Sequence, residues 1–272
     1  MRTIVHLSDL HFGRVDARAA APLVEQVRAL APNVVVVSGD LTQRARTHEF
    51  AQARQFLDSL PQPQIVVPGN HDVPAYNLLR RVFEPLGKYR RNLSDDLLPA
   101  YIDDEVAIFG LNSTLSLTTK HGRLRERDLV RVCGTLRELG PSVVRIVVCH
   151  HPFDLPRDHT PSDLIGSAMT AMRAFAESGV DVILSGHLHL THTSLTAERY
   201  RIPGHSALIV QAGTAISSRS RGEPNSFNVL RVDGGRLTVA RWVFDADTAK
   251  YAETGAEAFV RGADGWSAAP EG

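Results

Sequence analysis

Asn33-Val34-Val35-Val36-Val37-Ser38-Gly39-Asp40-Leu41-Thr42 contains four valines in a row, the run expected of a strand buried on both faces of a covered sheet. A hydroxyl, a glycine and a carboxylate follow directly. A carboxylate at the mouth of a buried strand is costly unless it is hydrogen-bonded or bound to a metal. Gly39 allows the sharp turn that aims Asp40 into the crevice beyond the strand. Many strands end in Gly-Asp, so the stretch acquires meaning only if other strand ends bring ligands to the same place.

Four other strand ends do. Residues 3–7 read as a strand that runs into Ser8-Asp9-Leu10-His11, whose Asp and His, two apart in an extended segment, suit two ligands on one ion or a capped turn. Residues 65–67 end in Pro68-Gly69-Asn70-His71-Asp72. There the Asn70 amide oxygen can ligate without adding charge, His71 can donate a proton, and Asp72 can orient His71. Residues 143–148 lead to Cys149-His150-His151, where one imidazole suits a ligand and the other a supporting or packing role. Residues 180–184 lead to Ser185-Gly186-His187-Leu188-His189, in which two imidazoles on one side of an extended segment favour metal binding. His192 is open between ligand and polar loop.

Helical periodicity over residues 17–31, 47–60, 162–178 and around Leu129, Val132, Leu136 and Leu139 separates these strands. Alternation of strands and helices gathers strand ends on one sheet edge, where sites lie. After residue 193 the pattern turns strand-rich, with Asp233-Gly234-Gly235 as a hairpin. One domain over residues 1–253 is expected, with 73–105 as a possible cap carrying Arg80, Arg81, Lys88, Arg90 and Arg91, and 254–272 as a weakly ordered tail.

The 272 residues, 43% hydrophobic and 22% charged, fit a globular chain with a sizeable core. Lys+Arg and Asp+Glu balance at 30 each, which argues against a nucleic-acid polymer as partner. No apolar run is long enough for a transmembrane helix, and the N-terminus lacks the pattern of a signal peptide, so a cytoplasmic protein is expected. Cys133 and Cys149 make neither a disulfide framework nor a zinc pattern. Two aspartates, an asparagine and four histidines are too many for one tetrahedral ion but suit two ions that share a carboxylate. Mixed nitrogen and oxygen donors without thiolate point to Mn, Fe or Zn, as divalent or mixed-valence pairs.

The blocks Asp9-Leu10-His11, Gly39-Asp40, Gly69-Asn70-His71-Asp72, His150 and Gly186-His187-Leu188-His189 follow in the order of the calcineurin-like metallophosphoesterase superfamily, which the chain resembles over about two-thirds of its length. Its nearest branch looks like the bacterial class III cyclic-nucleotide phosphodiesterases, a group similar to glycerophosphodiesterases. The resemblance implies a four-layer αββα sandwich of two mixed sheets. It implies Asp9, His11 and His189 on one ion, Asn70, His150 and His187 on the other, and Asp40 between them. It further implies His71, held by Asp72, as general acid or charge stabiliser, with hydroxide attack on a small phosphodiester. Arg219 and Arg221, with His151, are candidates for substrate contact or for plain loop and packing roles. A nucleotide- or lipid-linked pyrophosphatase and a non-catalytic scaffold are the competing readings, and a homodimer is a possible assembly.

Overall fold

The computed structural model describes residues 1–75, 78–116, 118, 120–156, 160–219 and 222–270. The chain runs β1 (Arg2–Leu7), α1 (Ala17–Leu30), β2 (Val34–Val37), α2 (Thr47–Ser59), β3 (Gln64–Val66), α3 (Leu78–Phe83), α4 (Gly87–Asn92), β4 (Ala100–Ile102), β5 (Val106–Gly110), α5 (Glu126–Glu138) and β6 (Val144–Val148). It continues through α6 (Ala168–Glu177), β7 (Val182–Ser185), β8 (His192–Leu195), α7 (Thr196–Arg199), β9 (Leu208–Gln211), β10 (Ser226–Asp233), β11 (Arg236–Asp245), β12 (Lys250–Gly262) and β13 (Gly265–Ala268). One sheet has the order β13-β12-β11-β10-β1-β2-β3 and the other β4-β5-β6-β7-β9-β8. In each, neighbouring strands run parallel in one part and antiparallel in another, so both sheets are mixed.

The valine run packs as its composition predicts. Val35 and Val37 face α1 and α2 with Leu23, Val27, Phe50 and Leu57, while Val34 and Val36 face the second sheet with Ile146, Val148 and Leu184. A third apolar layer joins Val147 and Ile183 to Leu136 of α5 and Phe175 of α6. The layers are therefore helix, sheet, sheet, helix, as the resemblance implied. Arg145 turns from β6 to the C-terminal end of α5, donating to the carbonyls of Leu136 at 3.0 Å and Leu139 at 2.8 Å. The last carbonyls of a helix lack full intrahelical pairing (besides Arg145, Leu136 O accepts from Leu139 N, at 3.3 Å), so a buried cation is a fitting cap.

Two expectations change. The strand-rich stretch expected after residue 193 is interrupted early, since Thr196–Arg199 form α7. More important, the described part of the expected tail, residues 254–270, is not weakly ordered: β12 pairs with β11 from Lys250 to Val260, and β13 folds back on β12, so a boundary at 253 falls inside a strand. β12 is exposed on most of its length, and a strand that buries little shows little hydrophobic alternation. Its anchors are few but large. Tyr251, Phe259 and Trp266 are buried, and the Trp266 indole donates to Asp181 Oδ1 at 2.8 Å. Trp266→Ala should therefore lower unfolding free energy by about 3–5 kcal/mol, read by urea denaturation. An unchanged transition would mean that the C-terminal strands are not part of the cooperative core.

Candidate metal centre

Beyond β1 and β2 the two chains stay side by side without being regular strands. Asp9 N donates to Gly39 O at 3.1 Å, His11 N to Asp40 O at 2.9 Å and Phe12 N to Leu41 O at 2.8 Å. Asp9, His11 and Asp40 all lie in the left-handed region, with φ of 52°, 51° and 52°. His187 and His189 do as well, at 75° and 61°. Such φ values are uncommon outside glycine and mark functional geometry when the surroundings enforce them. The extended Asp-x-His and His-x-His segments expected from sequence are thus wound backbone, and the rings of His187 and His189 go to different groups.

The first group is Asp9, His11 and His189. His11 Nε2 lies 3.0 Å from His189 Nε2, and Asp9 Oδ1 lies 3.2 Å from His189 Nε2 and 3.5 Å from His11 Nε2. The second is Asn70, His150 and His187. Asn70 Oδ1 lies 2.9 Å from His187 Nδ1 and 3.0 Å from His150 Nε2, and those two nitrogens are 3.2 Å apart. Asp40 stands between the groups, with Oδ2 3.9 Å from His11 Nε2 and 3.4 Å from His150 Nε2. Asp9, His11, Asp40 and His189 each offer one ligand atom within 4.8 Å of the others.

The surroundings say which atoms are left bare. His189 Nδ1 donates to Arg219 O at 3.2 Å and His150 Nδ1 to Ser38 O at 2.8 Å, so in the neutral form of each ring Nε2 carries the lone pair that faces its group. Asp9 Oδ2 accepts from Ser8 Oγ at 2.7 Å and His187 N at 3.0 Å, while its buried Oδ1 has no hydrogen-bond partner. Asp40 Oδ1 accepts from His71 N at 2.8 Å. Imidazole nitrogens about 3 Å apart repel unless a proton or a metal cation lies between them, and the buried Asp9 Oδ1 beside the first pair lacks a hydrogen-bond partner. Ligands bound at ~2.1 Å with ~90–109° between them sit ~3.0–3.4 Å apart, which is the spacing seen within both groups. The donor set fits transition cations.

Charge agrees with contact. Burial alone would raise the carboxyls of Asp9 and Asp40, yet His189 and His11 beside Asp9, and His150 and His71 beside Asp40, hold both below the usual carboxylate range. Burial pushes His187 down to about 3, helped by His150. Burial also opposes a charge on His150, but Asp40 and Asp9 overcome it and push that ring up to about 9. The carboxylates thus pull positive charge into the centre.

His71 stacks edge-on against His11, ring centroids 5.1 Å apart. Its holder is not Asp72. Nδ1 donates to Gln43 O at 2.8 Å, and Nε2 accepts from Arg219 Nη1 at 2.8 Å. The Asp72 carboxylate instead accepts from Leu41 N at 3.2 Å, Thr42 N at 2.9 Å, Thr42 Oγ1 at 2.8 Å and Gly69 N at 2.9 Å. It fixes the loop that carries Asp40, and burial with the nearby Asp40 charge pushes its carboxyl up to about 6. Sequence could not single out Gln43, because a backbone carbonyl has no residue signature.

The remaining candidates separate. His151 is buried behind the second group, its ring 4.8 Å from that of His187 and its Nδ1 2.8 Å from Ser113 Oγ, so it packs rather than facing an open cleft. Arg221 lies outside the described residues. His192 bonds Asp154 Oδ2 at 3.1 Å and joins no ligand group. In the cap segment, Arg81 is buried against the carbonyls of Ser116 and Thr118, Lys88 donates to Ala45 O at 2.8 Å, and Arg91 pairs with Glu84 at 3.1 Å.

Asp154 supports the loop after β6. Burial would raise its carboxyl, but hydrogen bonds from His192, Ser194 and Arg199 hold it below the usual range. A depressed folded pKa contributes stability above the unfolded value, ~3.9, and loses it as pH falls towards the folded one. Asp154→Asn should therefore destabilise the fold at pH ~7, with the difference from wild type shrinking below pH ~4 in parallel denaturation curves; a gap that widened with acid would contradict this.

Gly186 shows how tightly the centre is packed, since a Cβ there would overlap the Ser8 hydroxyl and come within 2.5 Å of Asp9 Oδ2. Gly186→Ala should lower metal content by at least about tenfold in equilibrium dialysis, the range of effect expected when a ligand loses its supporting contact. Wild-type metal content would show that Asp9 need not be held there.

The chain matches the calcineurin-like phosphoesterase family over residues 2–190. It is 31% identical over 217 residues to the glycerophosphodiester phosphodiesterase GpdQ of Enterobacter lignolyticus, covering 73% of each chain. It is 28% identical over 167 residues to a probable glycerophosphodiester phosphodiesterase GpdQ of Arcobacter nitrofigilis, covering 60% of this chain and 59% of that one. In fold it is similar to the purple acid phosphatase PPD1 of yellow lupin, with a TM-score of 0.65 at 10% identity, across 94% of this chain and about half (53%) of the lupin chain. A dimetal phosphatase from Danio rerio gives a TM-score of 0.60 at 15% identity, with 88% and 95% of the two chains covered. With the match running over residues 2–190, through the loops that build this centre, the chain belongs to the calcineurin-like phosphoesterase family, a family of phosphoric ester hydrolases.

Proposed function

We propose that the protein is a dinuclear metal-dependent phosphodiesterase acting on small phosphodiesters of the glycerophosphodiester or cyclic-nucleotide type. The observation that carries this is the pair of ligand groups on either side of Asp40, each with its bare donor atoms about 3 Å apart. The naming of two GpdQ relatives as glycerophosphodiester phosphodiesterases supports the substrate class.

In this reading Asp9, His11 and His189 would hold one cation and Asn70, His150 and His187 the other, with Asp40 placed between the groups as the residue that would serve both. Mn, Fe or Zn suits such donors. When bound, two ions of this kind supply Lewis acidity for the phosphoryl oxygens and a nucleophile at neutral pH. The chain's own residues do the rest. Ser38 O and Arg219 O fix the rings of His150 and His189, and Ser8 anchors Asp9. His71 is clamped at Nδ1 by Gln43, which leaves Nε2 as the atom that can hold a proton for the departing alkoxide or a hydrogen bond to a phosphoryl oxygen. Arg219, now bonded to that atom, is the guanidinium placed to take an anionic oxygen when substrate enters.

Asp40→Asn should lose both metal and turnover, measured by elemental analysis and by hydrolysis of bis(p-nitrophenyl) phosphate with Mn; full retention of both would refute the shared position. His71→Ala should slow diesters with poor leaving groups by about 10²–10⁴-fold and those with good leaving groups far less. Equal losses for the two kinds of ester would remove the proton-donor role.

A further inference from the structure

Beside the metal centre lies a hollow of which the proposed hydrolysis uses only Gln43 and Arg219. Arg14, Gln43, Arg44, Ser218 and Arg219 line a hollow of about 270 Å³. It adjoins the His71 ring, since Gln43 holds Nδ1 and Arg219 Nη1 touches Nε2. Among the described residues, none of these three arginines forms an ion pair with a carboxylate, in contrast to Arg2 with Asp103, Arg199 with Asp154 and Arg241 with Glu223. Glu49, which packs close by, turns its Oε2 to the backbone N–H groups of Arg44 at 2.8 Å and Arg46 at 3.1 Å.

The walls of the hollow are fixed. Arg14 O accepts from Ser218 N at 2.7 Å and Ser218 Oγ at 2.8 Å, and a bridge joins Val15 to Ser217. Arg219 O accepts from His189, which ties the same wall to the ligand cluster. The volume falls just below the ~300–1,000 Å³ of whole small-molecule sites, so the hollow suits one substituent of a substrate. Cations gathered in a concave site without acid partners select an anion, and guanidinium forks match a phosphate's oxygens.

We infer that this hollow is a subsite for a terminal phosphate carried on the ester arm beside His71. The preferred substrates are then phosphodiesters bearing a second phosphate group. This deepens the phosphodiesterase reading and rests on it. Arg219 stands between His71 and the hollow, whereas Arg14 and Arg44 belong to the hollow alone.

The test uses the metal-loaded full chain with two matched esters, methyl phosphopropyl phosphate and methyl hydroxypropyl phosphate, followed by phosphorus NMR. Wild type should favour the phosphorylated arm in kcat/KM by at least about tenfold, the worth of one charge-assisted hydrogen bond. Arg14→Met with Arg44→Met should bring that ratio close to one; either single substitution should lower it in part and serves if the double variant does not fold. Calorimetry gives a readout without turnover. Wild type should bind propanediol bisphosphate more tightly than propyl phosphate by a similar factor at low salt, and the double variant should not. Equal treatment of the two arms by wild type, or a preference that survives the substitutions, overturns the subsite. Failure to hydrolyse either ester overturns the phosphodiesterase reading, while the calorimetric comparison still decides the subsite.

Discussion

Asp9 Oδ1, His11 Nε2 and His189 Nε2 meet at 3.0–3.5 Å, and the other polar atoms of Asp9 and His189 are tied away from the meeting point. Electron-rich atoms do not settle so closely in a dry interior without positive charge among them. The surrounding chain is arranged to keep them there. Ser8, the His187 amide, Ser38 O and Arg219 O each remove one alternative orientation from a ligand. Asp72 ties the Asp40 loop, at Leu41 and Thr42, to Gly69 of its own turn.

Much of this was legible in the sequence. The valines of β2 announced a strand buried on both faces, and they pack into two different apolar layers. Motif blocks at five strand ends named the residues that converge. What the sequence hid was backbone. Asp9, His11, His187 and His189 sit at positive φ, so a two-residue spacing did not place side chains as an extended segment would. That is why His187 and His189 serve different groups. Asp72 follows His71 directly but points to Leu41, Thr42 and Gly69, while the ring is held by a carbonyl from Gln43. β12 was illegible for another reason: its pairing is made by backbone groups, and side chains that stay in solvent carry no pattern.

Electrostatic design differs between the centre and its rim. Inside, Asp9, Asp40 and the imidazoles counterbalance one another over short distances. At the rim, Arg14, Arg44 and Arg219 line a hollow and pair with no carboxylate among the described residues. A chain with no net charge can still present a local field of one sign where an anion would approach.

Each ligand group also draws on both sheets. Asp9 and His11 follow β1 and Asn70 follows β3, whereas His150 follows β6 and His187 and His189 follow β7. The layer between the sheets is mainly apolar contact, which resists separation but directs sliding only weakly, with polar ties such as Trp266 to Asp181 at its edge. A cation held by either group would act as a rivet through that layer. By mass action it would stabilise the docked arrangement in proportion to the logarithm of its concentration over its dissociation constant. The mutual alignment of the two sheets is then thermodynamically linked to metal supply, and the same atoms that serve chemistry register one half of the sandwich against the other.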